Sequence, residues 1–171
     1  MNYPSPLYYD DHDSPLGRLR LVADNDGLTF LELPHTKHPF EPGVELRHAP
    51  ERLAEVRRQL DAWFAGERID FDLPLSPRGT AFQLAVWKGL RDIPYAQTIS
   101  YGELARRIER PRAVRAVGAA NGANPLSIIV PCHRVIGSNG SLTGYGGGLP
   151  AKQWLLAHER RHAPREALAL S

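Results

Sequence analysis

A single cysteine, Cys132, stands among 171 residues. One thiol permits neither an internal disulfide nor a thiolate-rich zinc site, and a reducing compartment is its natural setting. Long apolar runs are also missing, since no stretch approaches the roughly 20 residues that span a bilayer. Residues 1–15 carry neither a basic segment nor a continuous apolar one. Secretion and membrane insertion are therefore not expected, and the chain reads as cytoplasmic. Acidic residues are scarce in one half only. Residues 80–171 hold five Asp/Glu against twelve Lys/Arg, net +7, whereas residues 1–79 hold fourteen against nine, net −5. The total of +2 hides this division, which points either to a polyanion met by the C-terminal half or to chance clustering. A phosphate-binding signature is absent too, because the run Gly146-Gly147-Gly148 lacks the Lys-Ser/Thr ending of a P-loop.

With 42% hydrophobic residues in 19.0 kDa, the chain can bury one substantial core or two small ones. Leu19, Leu21 and Ala23 alternate with polar residues, Asp24-Asn25-Asp26-Gly27 supplies a turn, and Leu28 and Phe30 resume the pattern, which predicts a β-hairpin. His35 to Ala49 shows no period and reads as a loop. Leu53, Val56, Leu60, Trp63 and Phe64 recur at helical spacing between Pro50 and Gly66. Ile69, Phe71, Leu73 and Leu75 then alternate as in a half-buried strand. Two prolines and a glycine in residues 74–79 break all periodicity where the charge balance changes sign, so two domains are expected, 1–78 and 79–171.

In the second half, Thr80-Ala81-Phe82-Gln83 has capping-box form and opens a helix with Phe82, Ala85, Val86 and Leu90 on one face. Ser100-Tyr101-Gly102-Glu103 repeats the form, followed by a short basic turn and a helix with Pro111 at its first position, running to about Asn121. Two short helices joined this way read as a helix-turn-helix or as an ordinary helical hairpin. Arg106, Arg107, Arg110, Arg112 and Arg115 favour the first reading, and so does the nearly bare surface left by Ala113, Ala116, Gly118, Ala119 and Ala120. Thr143 to Gly148 reads as a loop resembling a lid, with Tyr145 inside it, and a last helix carries Trp154, Leu155, His158 and Glu159.

Cys132 lies in Pro131-Cys132-His133-Arg134-Val135, after the apolar run Ser127-Ile128-Ile129-Val130. Pro131 should end a strand there and place the thiol at a turn. A free cysteine is either a small buried hydrophobe or a nucleophile activated by an imidazole that a carboxylate orients. His133 and Glu159 supply those two groups.

Thr80 through Glu159 resembles the O6-alkylguanine-DNA alkyltransferases, in the small cofactor-free form. The likeness runs in order through Gly79–Gln83 with Val86-Trp87, Ile99–Ala105, Arg115–Gly118, Asn121–Pro125, the PCHRV segment and Gly144–Gly148. It implies an α/β (α+β) two-domain protein, with a small ribonuclease-H-like N-terminal domain and a mainly helical, winged-helix-like C-terminal domain bearing the helix-turn-helix. It implies direct repair of double-stranded DNA by a monomer working from the minor groove. The alkyl group of O6-alkylguanine, or O4-alkylthymine, would pass irreversibly to Cys132 after nucleotide flipping. By the same resemblance His133 is the water-linked base, Glu159 its carboxylate, and Asn124 the residue that steadies the thiol's turn. Tyr101 would assist rotation of the nucleotide, while the carbonyls of Cys132 and Val135 and the amides near Tyr145 and Gly146 would hold the base. Arg115 would fill the vacated stack, among the DNA-facing residues Ser100, Arg112, Ala116 and Gly118. No cofactor is implied, and the zinc site of some relatives is not supported by an N-terminal half without cysteine. Two departures stand out: Gly146, where some relatives have Ser, and Ala96, where a turn glycine is usual. Asp13–Gly17 resembles the family's opening strand.

Two other functions fit parts of the pattern: a cysteine hydrolase, for which no oxyanion hole is visible, and a damage-binding protein without chemistry, against which Cys132 itself argues. The glycine run also points to tolerance of alkyl groups larger than methyl.

Overall fold

The computed structural model describes residues 3–37, 39–142 and 145–164. Thr143 and Gly144, part of the expected lid, lie outside the described residues. Three strands open the chain, β1 (Leu7–Ser14), β2 (Gly17–Ala23) and β3 (Leu28–Glu32). They pair antiparallel, and β4 (Leu46–His48) adds in parallel to β1, giving the order β3-β2-β1-β4. Asp13–Gly17 is therefore the end of β1 and its turn into β2. There Ser14 Oγ accepts from the Leu16 N–H and donates to the Gly17 carbonyl, and Gly17 takes φ +104, which favours glycine. The expected hairpin is β2 and β3, closed by Asp24, whose Oδ1 accepts from the Asp26 and Gly27 amides. β4 departs from the expected loop, since three residues at a sheet edge are too few to show a period.

Helix α1 (Ala54–Phe64) follows a short 3-10 turn begun by Pro50 and buries Val56, Gln59, Leu60 and Trp63. Each large apolar side chain so placed contributes about 1.5–3 kcal/mol. The strand expected over Ile69–Leu75 does not form: Leu75 makes one isolated bridge to Leu28, and Ile69 is 43% exposed. Gln59 replaces a ladder there, its amide donating to the Asp72 carbonyl at 2.9 Å and accepting from the Asp72 N–H at 2.9 Å. An extended chain whose polar groups are met by a side chain needs no neighbouring strand.

The capping box at Thr80 forms in full and starts α2 (Ala81–Leu90). Its buried face is Val86, Trp87 and Leu90 with Phe82 beside it, whereas Ala85 is exposed. Ser100 caps α3 (Tyr101–Arg107), but Glu103 does not complete the box, because Arg106 and Arg107 draw its carboxylate outward. Helix α4 begins at Val114 rather than Pro111 and ends at Gly122. Residues 110–113 form a turn closed by the Ala113 N–H on the Arg110 carbonyl, and Pro111 lies within it. Two short parallel strands, β5 (Ile99–Ser100) and β6 (Val135–Ile136), pair Ile99 with Val135. Helix α5 (Leu149–Arg161) completes the described chain and buries Lys152, Leu155, His158 and Glu159.

One hydrophobic cluster runs from Leu19, Leu21 and Leu31 through Trp63 and Trp87 to Val117, Cys132 and Leu155. It crosses the sequence boundary near residue 79 without a break. No described helix is long and apolar enough to cross a membrane.

Candidate alkyl-acceptor site

The placement of Cys132 begins at the end of α4. Asn124 Oδ1 accepts from the Leu126 N–H at 3.0 Å while its Nδ2 donates to the Val130 carbonyl at 2.8 Å. One side chain thus spans residues 124–130 in place of a strand pairing. No strand precedes Pro131, contrary to expectation. Leu126 makes a single bridge to Leu31, and Leu126, Ile128, Ile129 and Val130 are buried in the core rather than laddered. Ile128 has φ +75, a conformation that costs a β-branched residue of order 1–3 kcal/mol. Pro131 then leads into a 3-10 turn, Cys132–Arg134. Successive side chains of such a turn diverge by about 120°. Cys132, only 4% exposed, lines a cleft, whereas His133 is fully buried and is not part of its lining.

His133 Nε2 lies 2.7 Å from Glu159 Oε2, with both side chains essentially buried. Arg134 holds the same carboxylate with Nε at 2.9 Å and Nη2 at 2.8 Å, and its Nη1 donates to the Ile93 carbonyl at 2.7 Å. The Ala96 N–H adds a fourth donor at 3.1 Å. Ala96 has φ +64, so the turn usually made by glycine is kept at the cost of a left-handed alanine. Burial opposes ionisation of Glu159, but the cationic partners outweigh it and hold the carboxyl well below its ordinary value. Arg134 cannot deprotonate, so Glu159 stays ionised when His133 is neutral. Burial likewise lowers His133 from its ordinary value, against the pull of Glu159. An ionised carboxylate only accepts, so Nε2 carries the ring proton and Nδ1 keeps a lone pair. Nδ1 is buried with no hydrogen-bond partner among the described residues. No direct bond joins the ring to the thiol.

Burial pushes the Cys132 thiol up, while the Asn124 amide, the charge of Lys152 and Tyr145 pull it down. Lys152 is fully buried at the start of α5, its Nζ donating to the Val135 carbonyl at 2.6 Å and lying 6.0 Å from the centre of the Tyr101 ring. Burial lowers its ammonium from the ordinary value, and an ionised Cys132 opposes that shift. The Tyr145 hydroxyl faces Ser127 and Cys132 without a hydrogen bond of proper geometry to either, and burial raises it well above its ordinary value. The Cys132 carbonyl accepts a long contact, 3.4 Å, from Asn121 Nδ2. Lys152, Arg134 and Asn121 were not singled out by sequence. A lysine in a first helical turn reads as solvated, and nothing local shows that Val135 will sit above it.

The cleft over Cys132 has a volume of about 600 Å³. Asn124, Ser127, Tyr145, Gly146 and Gly147 form one side with Gly118 and Ala119 of α4, and Phe30, Leu33, Thr36 and Lys37 form the other. The Gly146 carbonyl accepts from the Lys37 N–H at 3.1 Å, and a Cβ on Gly146 would stand 3.0 Å from the Gly122 carbonyl. Tyr101 is half-buried, its ring 3.8 Å from where a Gly118 Cβ would be. Arg115 and Ala116 are exposed on α4, and Arg112 is exposed in the turn before it. Ser100 Oγ is engaged as the α3 cap. The structure thus brings Cys132, Asn124, Tyr145, Gly146 and Gly118 to one cleft, with Tyr101 behind Gly118. His133, Glu159 and Val135 lie in the layer beneath, and the arginines outside. Among the described residues no group of His, Cys, Asp and Glu could hold a metal ion.

Residues 7–77 match the 6-O-methylguanine DNA methyltransferase ribonuclease-like domain, and residues 81–161 match the DNA binding domain of the same proteins. A methylated-DNA–protein-cysteine methyltransferase of Mycolicibacterium paratuberculosis is 52% identical over 92% of this chain and 95% of its own length. One from Methanosarcina acetivorans is 48% identical over 90% and 98%. The crystal structure of Mycobacterium tuberculosis OGT in complex with DNA superposes with a TM-score of 0.84 at 46% identity, covering 96% of this chain and 99% of that one. With both halves matched in order and the expected α+β two-domain architecture found, this chain belongs to the 6-O-methylguanine DNA methyltransferase family.

Proposed function

We propose that this chain repairs duplex DNA by moving the alkyl group of O6-alkylguanine, or of O4-alkylthymine, once and irreversibly onto Sγ of Cys132. The observation that carries this reading is a cleft-lining thiol backed by a buried imidazole whose Nε2 is tied to Glu159 and whose Nδ1 has no partner among the described residues. Water between Nδ1 and Sγ would relay the thiol proton to His133. The thiolate attacks the alkyl carbon in line, the S–C bond forms as the C–O bond breaks, and the electrons leave with the guanine oxygen. The thiol proton held at His133 then passes to the departing guanine, so the reaction consumes no cofactor and leaves a thioether that nothing in the site can reverse.

A carbon inside a stacked duplex is out of reach of a thiol at the floor of a cleft, so the damaged nucleotide must rotate out. Arg115, exposed beside Ala116 and Gly118, would enter the minor groove and occupy the vacated stack, with Arg112 on the flanking phosphates. The Cys132 and Val135 carbonyls would receive the exocyclic amine, Val135 through the lone pair that Lys152 leaves unused. Backbone N–H groups near Tyr145 and Gly146 would donate to the oxygen. A cleft of about 600 Å³ supports acceptance of groups larger than methyl. The protein would act as a cytoplasmic monomer, with residues 79–171 carrying the chemistry and residues 1–78 closing the far wall of the cleft.

Intact-mass measurement after incubation with duplex DNA bearing O6-methylguanine tests the reading. The protein should gain one methylene-sized increment and stop, and Cys132→Ser should gain none while still binding the duplex. Continued turnover without an adduct would favour a hydrolase, and a mass gain by the serine variant would sink the assignment.

A further inference from the structure

His158 immediately precedes Glu159 on α5, and none of the roles assigned above uses it. It is 3% exposed, and its Nε2 donates to the Trp63 carbonyl at 2.9 Å. Trp63 is in the last turn of α1, on the opposite side of the sequence boundary. The imidazole is stacked on Trp154 with ring centres 4.9 Å apart and planes 11° from parallel, and it is tilted against Trp63 at 4.6 Å. His162, one turn later, packs on His158 at 4.4 Å and bonds its carbonyl through Nδ1 at 2.9 Å. Gly66, just beyond α1, has φ +78, and a Cβ there would run into the His162 ring. The end of α1 therefore grips α5 at one point, through a hydrogen bond to a main-chain carbonyl and a stack of rings.

On a helix, neighbouring residues are rotated by about 100°, so a side chain anchored at one position sets the direction of the next. The Glu159 carboxylate must meet His133 at 2.7 Å and Arg134 at 2.8 Å, and a turn of α5 by a few degrees would spoil both. We propose that His158 is a positioning residue for alkyl transfer: anchored on the Trp63 carbonyl, it lets the N-terminal half fix the rotation of α5 and hence the aim of Glu159 at His133. The proposal rests on the alkyl-transfer reading and gives the N-terminal half a part in the chemistry besides walling the cleft. The Arg134 and Ala96 bonds hold the carboxylate end of Glu159 itself, and the remaining anchors of α5 act elsewhere. Lys152 ties its first turn to Val135, two turns from Glu159, and Leu155 offers only non-directional packing.

The test measures the rate at which Cys132 gains mass from saturating O6-methylguanine duplex at 25 °C, with folding checked by circular dichroism. His158→Phe keeps the ring stack and deletes the bond to Trp63. It should slow transfer about tenfold, the scale on which small misplacements of catalytic groups act. His158→Gln, whose amide can still donate to Trp63, should return to within about threefold of wild type. In a Glu159→Gln background His158→Phe should cost less than about twofold more, because the group it aims is already gone. Gly66→Ala, which pushes on His162 from the other half, provides a second lesion if the phenylalanine variant does not fold, with the same dependence on Glu159. Equal losses with Glu159 or Gln at 159 would overturn the proposal, as would wild-type rates in both lesions or no recovery by glutamine. A wild-type protein that takes no mass from DNA would instead overturn the alkyl-transfer reading beneath it.

Discussion

Arg134→Met tests the charge arrangement behind Cys132. The wild-type Glu159 carboxylate is 1% exposed and bonded by His133, Arg134 and the Ala96 amide. Methionine preserves much of the side-chain volume but removes three guanidinium contacts and leaves the Ile93 carbonyl without its donor. Breaking a buried ion pair from one side costs about 3–5 kcal/mol. In a chain of this length each kcal/mol lowers the melting temperature by about 2–4 °C, so a fall on the order of 10 °C is expected. The chemistry should suffer for a separate reason. With Arg134 gone, His133 is the one ion-pair partner of Glu159 left among the described residues, the ring is held protonated, and Nδ1 no longer accepts. Methyl transfer at neutral pH should drop about a hundredfold, the lower end of what a positioned base contributes. Urea titration followed by tryptophan fluorescence reads the stability, and intact mass reads the transfer. Adding Glu159→Gln to Arg134→Met removes the stranded charge, and should restore about 2 kcal/mol without restoring transfer. A single variant within about 1 kcal/mol of wild type, or a double variant no more stable than the single, would refute the reasoning.

Two further outcomes follow from the same site. The His133 value is lowered from 6.5, so the neutral ring persists through pH 6.5 and transfer should stay level from there to pH 8, falling only at more acid pH. A rate rising tenfold per pH unit across neutrality would mean a preformed thiolate and no base. The lowered Glu159 value, about 2 against 4.5, makes its stabilising contribution complete above pH 4.5 and lost as pH falls toward 2, worth about 3 kcal/mol in a melt series. Arg115→Ala should slow repair of duplex DNA while leaving reaction with the free base O6-benzylguanine largely intact; equal losses on both substrates would deny the arginine its place in the stack.

What the sequence disclosed was local. The Thr80 box, the α1 face around Leu60 and Trp63, and the turn at Asp24 each arise within a few residues, and each is present. Errors came where a distant side chain did the work of neighbouring backbone. The alternation of Ile69 to Leu75 is real, yet Gln59 takes the hydrogen bonds a strand would have made. The apolar run before Pro131 is likewise held by Asn124 rather than by a ladder. The arginine group looked nearly free of acids in the linear order, but Glu103 turns back to Arg106 and Arg107, leaving Arg110, Arg112 and Arg115 as the arginines of that group without a carboxylate partner among the described residues. At the site, His133 and Glu159 could be named before the fold was known. Lys152 and Arg134 could not, because their partners, a β6 carbonyl and the Ile93 carbonyl, become partners only once the chain is folded.

The unbroken cluster from Leu19 to Leu155 bears on how such a protein can change over generations. Two halves that each answer to their own family model suggest modules open to recombination. A shared interior forbids it, because a half borrowed from a relative arrives with side chains shaped for another seam. Mismatches of a single methylene in such packing cost about 1 kcal/mol each, and several together approach the whole margin by which a domain stays folded. The unit of inheritance here is the pair, and substitutions at the seam should be accepted only in company.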